Sequence, residues 1–579
     1  MSETTNGMTK WRQHTVLGVF LLGISALVWR AVDLQVVNNE DYQNKGDSAH
    51  LKVVAIPAHR GMIVDRNDEP LAISTPINAV WGKPKELLAN AEYLPELAHL
   101  LNVDVYDLTD ELKKRSDRDF MYLKRRGSPE LVEALAASNI PGVEFQQEYK
   151  RFYPAGEVTS HLLGFTNIDD IGQEGVELAF DHWLRGEYGS KRVLQDRRGK
   201  ILADIEPIED ARTGGQLALS IDKRIQYLAY RELKAAVEAH DAKSGMMVVL
   251  DAVTGEVLAM VNQPAFNPNA RRSLSSGTFR NLAVTDMFEP GSTVKPFVVA
   301  AALESGQFLP NTLIDTTPGQ FYVGRNRVMD IRNYGLIDVS TVLKKSSNVG
   351  VAKLALAMDK EYLWQKYIDV GFGSPTGATF PGEQYGVVND FHRWARIDQA
   401  TISFGYGLSS TMMQLARAYT VFANEGELKP VTLQRINNEP VGEKVFQART
   451  VERILRMMEQ VVESDGTAPL AKISGYRVAG KTGTVKKADE RGGYTEDKYL
   501  SLFAGVVPAS NPRLVGVVLI DEPGREDYYG GVVAGPVFSK VLAGALRLMD
   551  VAPDDVDPKN VTTNKLAQHA SKRAQAGTL

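Results

Sequence analysis

The sequence contains no cysteine among its 579 residues, and this absence excludes several kinds of chemistry. Thiol catalysis, disulfide bonds and cysteine-ligated metal sites all require that side chain. The nine histidines are scattered, and none forms the His-x-x-x-His or His-Glu-x-x-His spacing that binds zinc on a helix. We therefore predict neither a metal site nor a cofactor.

An excess of positive charge is also lacking. Lysine and arginine number 66 against 71 aspartates and glutamates, a net charge of −5, which gives no support to nucleic-acid binding. The hydrophobic content of 44% and charged content of 24% are ordinary for a globular protein. Because the chain is too long for one compact domain, we expect two folded domains and additional segments.

One uncharged, largely apolar segment lies near the N-terminus, at residues 15–29. Extension through Val32 gives the roughly 20 residues that span a bilayer, provided that the Arg30 side chain reaches the interface. Basic residues precede this segment and acidic residues follow it, which predicts a cytoplasmic tail at 1–14, an anchor at 15–34 and an exported remainder. A cleaved signal peptide is the alternative, but no small-x-small cleavage site follows the apolar core.

The remainder divides at a polar stretch, residues 209–215. Residues 35–215 contain hairpin patterns at 56–72 and 194–202, which could pair in one sheet, but show no catalytic constellation. We interpret four charged residues of this region as a structural ion-pair network: Asp65, Arg66, Arg151 and Glu177.

The second region, residues 216–550, has strand patterns at both ends of a mostly helical centre. This arrangement predicts an antiparallel sheet flanked by helices, and the whole chain is predicted to be a multidomain α+β protein. Residues 551–579 are polar and are predicted to be disordered.

The candidate chemistry lies at Ser292-x-x-Lys295, where the spacing puts both side chains on one face of a helix. A turn signal precedes the serine and an apolar run follows the lysine, so Ser292 is expected near a helix N-terminus at the base of a cleft. Free N–H groups there favour a developing negative charge and lower the pKa of Lys295, which makes it a candidate base. Pro296 is expected to leave the Ser292 carbonyl without its usual helical partner.

The Ser-x-x-Lys pattern is weak alone, because it recurs at Ser220-x-x-Lys223, which we interpret as a strand-to-helix turn. Two further motifs strengthen the first occurrence. Ser346-Ser347-Asn348 follows a basic pair, and Lys481-Thr482-Gly483-Thr484 follows a predicted strand at 476–479. Ser-x-x-Lys, Ser-x-Asn and Lys-Thr-Gly, in this order, are the signature of penicillin-binding proteins and serine β-lactamases.

On these motifs the chain resembles the class B penicillin-binding proteins, which are peptidoglycan D,D-transpeptidases, and within them the cell-division (septal) type of Gram-negative bacteria. The resemblance covers nearly all of residues 10–550. It extends to four further segments: 60–67, 151–156, 405–408 and 529–531. It implies an elongated α+β pedestal, similar to a dimerisation domain, and a β-lactamase-like transpeptidase domain. Asp68 departs from the family, which often has glycine there.

The resemblance also implies a role for each motif residue. Ser292 would attack the penultimate D-alanine carbonyl of a stem peptide, with Lys295 as the general base. Ser346 would relay a proton to the leaving amine, and Asn348 would hold Lys295 and the substrate amide. Backbone N–H groups of Ser292 and Thr484 would form the oxyanion hole.

The third motif is implied to bind the terminal carboxylate of the substrate. Lys481 would supply positive potential, Thr482 and Thr484 would donate hydrogen bonds, and Gly483 would let the substrate backbone lie against the strand. β-Lactams would acylate Ser292. Slow turnover is expected, because Ser347 replaces the aspartate of the class A β-lactamase motif and no deacylating glutamate can be identified.

The implied partners are a polytopic lipid II-polymerising glycosyltransferase packed against residues 15–34 and other division proteins bound to 50–210. The implied location is the inner membrane, with a single span and a periplasmic bulk. Alternatives are an elongation-type transpeptidase, a D,D-carboxypeptidase, a β-lactam sensor or a non-catalytic division scaffold. A sensor would need a larger cytoplasmic part than residues 1–14, and the intact motifs argue against an inactive scaffold.

Overall fold

The computed structural model describes residues 4–38, 51–56, 58–195, 201–271, 275–488, 493–524 and 527–555. The chain forms two compact units. One consists of Met1–His59 and Gly186–Gly214, and the other of Arg60–Arg185 and Gly215–Leu579. Most of the predicted disordered tail, residues 556–579, lies outside the described residues.

Within the described residues before position 220 there are eight strands and eight α-helices. The strands are β1 (Leu51–Ile56), β2 (Ile63–Val64), β3 (Pro70–Gly82), β4 (Met121–Gly127), β5 (Val143–Phe152), β6 (Gly189–Gln195), β7 (Ile201–Glu209) and β8 (Leu217–Ala218). The helices are α1 (Thr4–Val32), α2 (Pro84–Ala89), α3 (Leu94–Leu101), α4 (Val105–Lys114), α5 (Pro129–Ser138), α6 (Ser160–Leu163), α7 (Gly175–Ala179) and α8 (Asp181–Arg185).

The remaining elements begin at Lys223. The helices are α9 (Lys223–Ala239), α10 (Leu282–Thr285), α11 (Lys295–Glu304), α12 (Val339–Lys344), α13 (Asn348–Ala357), α14 (Lys360–Asp369), α15 (Arg396–Ile402), α16 (Met412–Ala423), α17 (Ala448–Glu459), α18 (Gly530–Val533) and α19 (Gly535–Leu548). The strands are β9 (Ser244–Asp251), β10 (Val257–Gln263), β11 (Leu313–Asp315), β12 (Gln320–Val323), β13 (Asn326–Met329), β14 (Leu336–Asp338), β15 (Val387–Val388), β16 (Leu408–Ser409), β17 (Glu427–Leu428), β18 (Glu443–Lys444), β19 (Ala479–Ala488), β20 (Tyr494–Val507) and β21 (Leu514–Asp521).

The first unit contains α1 and a three-stranded sheet in the order β1-β6-β7. The apolar segment Trp11–Val37 has a mean hydropathy of 2.0 and no buried residues, and its length and composition suffice to cross a membrane. Gly530–Leu548 meets the same criterion, but 61% of it is buried in the second unit, so its apolar character is that of a core helix. Helix α1 begins at Thr4, so the described part of the predicted polar tail belongs to the same helix.

The two predicted hairpins do not pair with each other. Strand β6 pairs with β1 on one side and with β7 on the other, whereas β2 and β3 belong to a different sheet with β4, β5 and β8. The expectation of one shared sheet is therefore wrong, because β1, which precedes the first hairpin, takes the position beside β6.

A buried ion-pair network does occupy the N-terminal part of the second unit. Arg60 and Arg151 both pair with the fully buried Glu177, at 2.7 and 2.6 Å, and Arg60 also pairs with Asp181. The sequence interpretation missed Arg60 and Asp181. It also included Asp65, whose carboxylate instead accepts hydrogen bonds from backbone N–H groups.

The core of the second unit is a five-stranded antiparallel sheet in the order β10-β9-β21-β20-β19. Alternate residues of β9 and β21 enter two separate hydrophobic clusters. Helices α9 and α19 cover one face, and α11 and α16 lie in the cluster on the other. This period of two is the pattern of a strand buried on both sides, and it confirms the predicted sheet flanked by helices. Strand β19 lies at one edge of the sheet.

Candidate active site

Ser292 lies in a short 3-10 helix, Gly291–Val294, that leads directly into α11. Gly291 has φ +55°, and a Cβ atom there would lie 2.3 Å from Val485 Cγ2, so this turn needs glycine. As expected, Pro296 offers the Ser292 carbonyl no N–H, but this carbonyl still has a hydrogen-bond partner. The proline occupies the first turn of α11, where a missing N–H is tolerated, and the Ser292 carbonyl accepts a hydrogen bond from the Lys295 N–H.

Helix α11 is buried along almost its whole length, from Lys295 through Leu303. Phe297 packs on Tyr419 and Phe422, and the Tyr419 hydroxyl group donates to the Thr293 carbonyl at 2.8 Å. A helix that is apolar on all sides and fixed from within the core holds its N-terminal turn in one position. The turn carrying Ser292 is therefore rigidly supported.

The Lys295 side chain, three residues after Ser292, is fully buried. Its Nζ atom donates to the Ser346 carbonyl at 2.6 Å and to Asn348 Oδ1 at 2.7 Å, and it lies 3.1 Å from Ser346 Oγ. Burial, followed by the charge of Lys481, lowers the pKa of Lys295 well below its usual value, and the Asp330 carboxylate opposes this shift. A neutral amine has two N–H groups, which are enough for the Ser346 carbonyl and Asn348 Oδ1. Its one lone pair then remains to accept a proton, which suits a base.

Ser346 and Asn348 are positioned by the N-terminus of α13. Ser347 caps this helix by accepting from the Gly350 N–H at 2.8 Å, and its own hydroxyl group donates to Asp330 Oδ2 at 2.6 Å. Asp330 Oδ1 accepts from the backbone N–H of Asn348 at 2.5 Å. Ser346 itself has φ +59°, a conformation that costs free energy for a residue with a side chain. The cap and the Asp330 contacts hold this bend.

The third motif lies inside β19 rather than after a strand, which corrects the predicted strand at 476–479. Lys481 is fully buried, and this burial lowers its pKa to about 7. The Thr482 hydroxyl group lies 3.1 Å from that of Thr467, and Thr484 Oγ1 accepts from the Gly530 N–H at 3.0 Å.

Gly483 has a structural role that the sequence did not suggest. A Cβ atom there would lie 3.1 Å from Thr293 Cγ2 and 3.3 Å from the Pro290 carbonyl oxygen. Glycine therefore lets β19 approach the turn that carries Ser292.

The motif residues meet around one pocket of about 400 Å³. Five predicted site residues line it: Ser292, Ser346, Asn348, Thr482 and Thr484. Lys295 and Lys481 are buried beside it rather than lining it. Further lining residues include Asp330, Ile331, Tyr334, Lys345, Thr467 and the segment Tyr529-Gly530-Gly531-Val532.

Asp330 was missed by the sequence reasoning, because no local motif marks it. It lies just after β13 and reaches the second motif only through the fold. Thr467 was missed for the same reason. By contrast, Ser220 is correctly excluded: it is fully buried, and its hydroxyl group donates to the Val257 carbonyl at 2.8 Å.

Two family models match the chain. The penicillin-binding protein transpeptidase domain matches residues 245–543, and the penicillin-binding protein dimerisation domain matches residues 55–219. The first match spans the whole of the pocket described above. The chain belongs to the class B penicillin-binding proteins.

Known penicillin-binding proteins resemble the chain over most of its length. The peptidoglycan D,D-transpeptidase FtsI of Escherichia coli K12 is 41% identical over 549 residues, which cover 94% of this chain and 93% of that protein. The transpeptidase domain of Burkholderia pseudomallei penicillin-binding protein 3 is 43% identical, with a TM-score of 0.54, and covers 58% of this chain and 98% of that one.

A peptidoglycan synthetase from Bifidobacterium adolescentis shares the fold over more of the chain, with a TM-score of 0.69 and 24% identity, covering 88% of this chain and 98% of that one. The expected fold class, a non-catalytic domain together with a transpeptidase domain of the penicillin-binding type, is thus confirmed.

Proposed function

We propose that this penicillin-binding protein is the septal serine D,D-transpeptidase of its cell, crosslinking peptidoglycan stem peptides through an acyl-enzyme at Ser292. The observation that carries the proposal is the convergence of all three motifs on one pocket, with the buried Lys295 amine bound to Ser346 and Asn348 of its lining. The relationship to a D,D-transpeptidase named FtsI supports the division role.

Acylation begins when Ser292 Oγ attacks the carbonyl of the penultimate D-alanine. The hydroxyl proton passes to Lys295 Nζ, whose pKa is lowered by burial and by Lys481. Among the described residues no partner holds the Ser292 hydroxyl group, so its hydrogen bond to Lys295 forms in the substrate complex. The backbone N–H groups of Ser292 and Thr484 stabilise the oxyanion, and one such donor typically contributes a factor of about 10²–10³ in rate.

The leaving D-alanine receives its proton through Ser346, whose Oγ lies 3.1 Å from Lys295 Nζ. Its carboxylate is bound by Thr482 and Thr484, with positive potential from Lys481. Because β19 is an edge strand, the donor peptide adds alongside it and pairs with its free backbone groups. Asn348 holds the Lys295 amine and the substrate amide.

The acyl-enzyme is then attacked by an amino group of a second stem peptide. β-Lactams acylate the same serine, and the adduct turns over slowly. Among the described residues that line the pocket, Asp330 is the one carboxylate, and both of its oxygens already accept hydrogen bonds. It is therefore poorly placed to activate a deacylating water.

The N-terminal apolar helix supports an inner-membrane location. We propose a cytoplasmic N-terminus, a periplasmic bulk and the domain limits expected from the sequence, with a lipid II-polymerising glycosyltransferase packed against residues 15–34. Other division proteins bind the region 50–210.

Substituting exposed residues of the region 50–210 is expected to reduce septal synthesis while penicillin acylation in detergent stays normal. Equal loss of acylation would make that region structural support alone.

The direct test labels the full-length protein in detergent with a fluorescent penicillin. Ser292→Ala is expected to abolish a stable adduct, whereas Ser220→Ala is expected to retain it. A folded parent protein that forms no adduct would contradict the catalytic proposal and favour the scaffold. Depletion in cells separates the two transpeptidase types: filaments indicate division, and round cells indicate elongation.

A further inference from the structure

The hairpin β12–β13 presents an outward face beside the pocket. Its register pairs Tyr322 with Arg327 and Gln320 with Met329. The neighbouring residues Val323 and Val328 point the opposite way, into a small hydrophobic cluster with α13. Strand alternation therefore places Tyr322, Arg327 and Met329 on one exposed face, and the exposed fractions of Tyr322 and Met329 are 63% and 45%.

The strand β13 runs from this face straight into the pocket. After Met329 come Asp330 and Ile331, which both line the pocket, and the Met329 carbonyl accepts from Asn348 Nδ2 at 3.1 Å. Ile331 is 83% exposed, although it is a large apolar residue at the mouth of an active site. At about 3.3 Å per residue, Arg327 is roughly 10 Å along the strand from Asp330, a distance that about three residues of an extended peptide span.

This surface carries positive charge that the described residues do not neutralise. Arg325, Arg327 and Arg332 are exposed and form no ion pair within the described chain, although Arg327 Nη1 donates to the neutral Gln320 Oε1 at 3.4 Å. Arg332 lies over the ring of Tyr334, another pocket residue, at 5.2 Å from its centroid.

Three carboxylates close in sequence to this face accept hydrogen bonds from groups other than these arginines. Asp330 accepts three hydrogen bonds at the start of α13, Asp338 accepts from the Thr341 N–H, and Asp315 accepts from the Thr317 N–H. In a chain of net charge −5, three exposed arginines without an ion pair in the described chain, set among exposed apolar side chains, indicate an anionic, partly apolar ligand.

We propose that this surface, which we call the acceptor platform (Tyr322, Arg325, Arg327, Met329, Ile331 and Arg332), binds the carboxylate-bearing acceptor stem peptide. The inference rests on the proposed function. A stem peptide that reacts through a side-chain amine keeps its own C-terminal carboxylate, so the acceptor arrives with negative charge. The donor occupies the β19 side of the pocket, which leaves lining residues outside that strand, among them Asp330, Ile331 and Tyr334, for the acceptor.

The platform orients one chemical step. The acceptor amine attacks the ester carbonyl at Ser292, so that the new C–N bond forms as the C–Oγ bond breaks. The amine proton returns to Ser292 Oγ by way of Lys295. Arginine suits the platform because its planar guanidinium group forms paired hydrogen bonds with a carboxylate.

The test separates acyl-enzyme formation from acyl transfer in the full-length protein. A thioester analogue of the donor reports acylation by thiol release, and mass spectrometry divides the products into hydrolysis and aminolysis. Two acceptors are compared: a stem peptide with free carboxylates and the same peptide with its carboxylates amidated. The double variant Arg325→Gln/Arg327→Gln is compared with Arg449→Gln, an exposed arginine of α17 that does not line the pocket.

The double variant is expected to raise the KM for the charged acceptor roughly 3- to 10-fold, the size of two exposed ion pairs. The amidated acceptor and thiol release should be unaffected, and Arg449→Gln should match the parent for both acceptors. The double variant Arg325→Gln/Arg327→Lys, which keeps a positive charge at position 327, should show a smaller increase in KM for the charged acceptor. An equal increase in KM for both acceptors, or no increase for either, would overturn the proposal that the acceptor platform binds the acceptor carboxylate. A parent protein that releases no thiol and binds no penicillin would instead overturn the proposed function.

Discussion

At the scale of single residues, the site depends on two buried amines with different environments. Burial and the charge of Lys481 lower the pKa of Lys295. Burial alone lowers the pKa of Lys481, to about 7. Lys295 is therefore the member of the pair that gives up its proton more readily, which is what a base for Ser292 requires. In the proposed mechanism Lys481 must keep its proton to attract a carboxylate.

These opposite requirements predict a bell-shaped pH dependence for acylation. As pH falls through the depressed pKa of Lys295, the base becomes protonated and the rate decreases. As pH rises through about 7 in the free enzyme, Lys481 loses its charge and carboxylate binding weakens. The measurement is the second-order rate constant of penicillin acylation against pH. A rate that keeps rising into the range of an ordinary lysine would contradict the assignment of Lys295.

Asp330 offers a second prediction at this scale. Its carboxylate raises the pKa of Lys295, so Asp330→Asn is expected to lower that pKa further and move the acidic limb of the acylation profile to lower pH. The weaker hydrogen bonds to Ser347 and Asn348 should reduce the free energy of unfolding by about 1 kcal/mol.

Asp338→Asn provides the control for Asp330. Asp338 caps α12 by accepting from the Thr341 N–H at 2.7 Å, but it does not line the pocket. It is expected to show a similar loss of stability in denaturant titrations and an unchanged acidic limb. The same shift in both variants would mean that the limb reports stability rather than the base.

At the scale of elements, the turn carrying Ser292 is held between β19 and the loop before β16. The Gly291 N–H donates to the Gly405 carbonyl at 3.2 Å, and a Cβ atom on Gly405 would lie 2.1 Å from the Gly291 carbonyl oxygen. Both contacts are between backbone atoms, so neither Gly291 nor Gly405 can shift without moving the turn that carries Ser292.

Gly405→Ala is therefore expected to displace the Ser292 turn and reduce penicillin acylation roughly 100-fold. Gly407→Ala is the matched control. It also has a positive φ, +81°, but no described atom lies within 4 Å of a Cβ atom placed there. The Gly407→Ala variant should lose about 1–2 kcal/mol of stability through backbone strain and should keep most of its penicillin acylation rate. Comparable acylation by the two variants would show that the Gly405 contact does not position Ser292.

The same elements show which parts of the site can be predicted from the sequence. Short motifs predicted Ser292, Lys295 and the β19 residues, because their spacing is local. The stretch 486–498 is rich in charged residues, a local pattern typical of a loop, yet β19 continues to Ala488 and β20 begins at Tyr494. Lys487 pairs with Asp521 at 2.8 Å and Glu522 at 2.6 Å, so tertiary ion pairs outweigh the local polarity. Asp330 could not be predicted, because its partners are set by the fold.

At the scale of the whole molecule, catalysis and membrane attachment belong to separate parts of the chain. All residues that line the pocket lie in the second compact unit, whereas α1 lies in the first. The apolar side chains of α1 are exposed along its length, so within the described structure no protein core covers them. A bilayer is the environment that suits such a helix.

Removal of residues 1–38 should therefore change location without changing chemistry. The full-length protein is expected in the membrane fraction, resisting high salt and released by detergent, because roughly 20 apolar residues anchor a chain far more firmly than ionic contacts. The shortened protein should be soluble and should bind fluorescent penicillin at the parent rate. A shortened protein that stays with the membrane would place a further attachment surface in the remaining chain. A shortened protein that is soluble and folded but unable to bind penicillin would mean that the anchor supports the active site, although the two belong to different compact units.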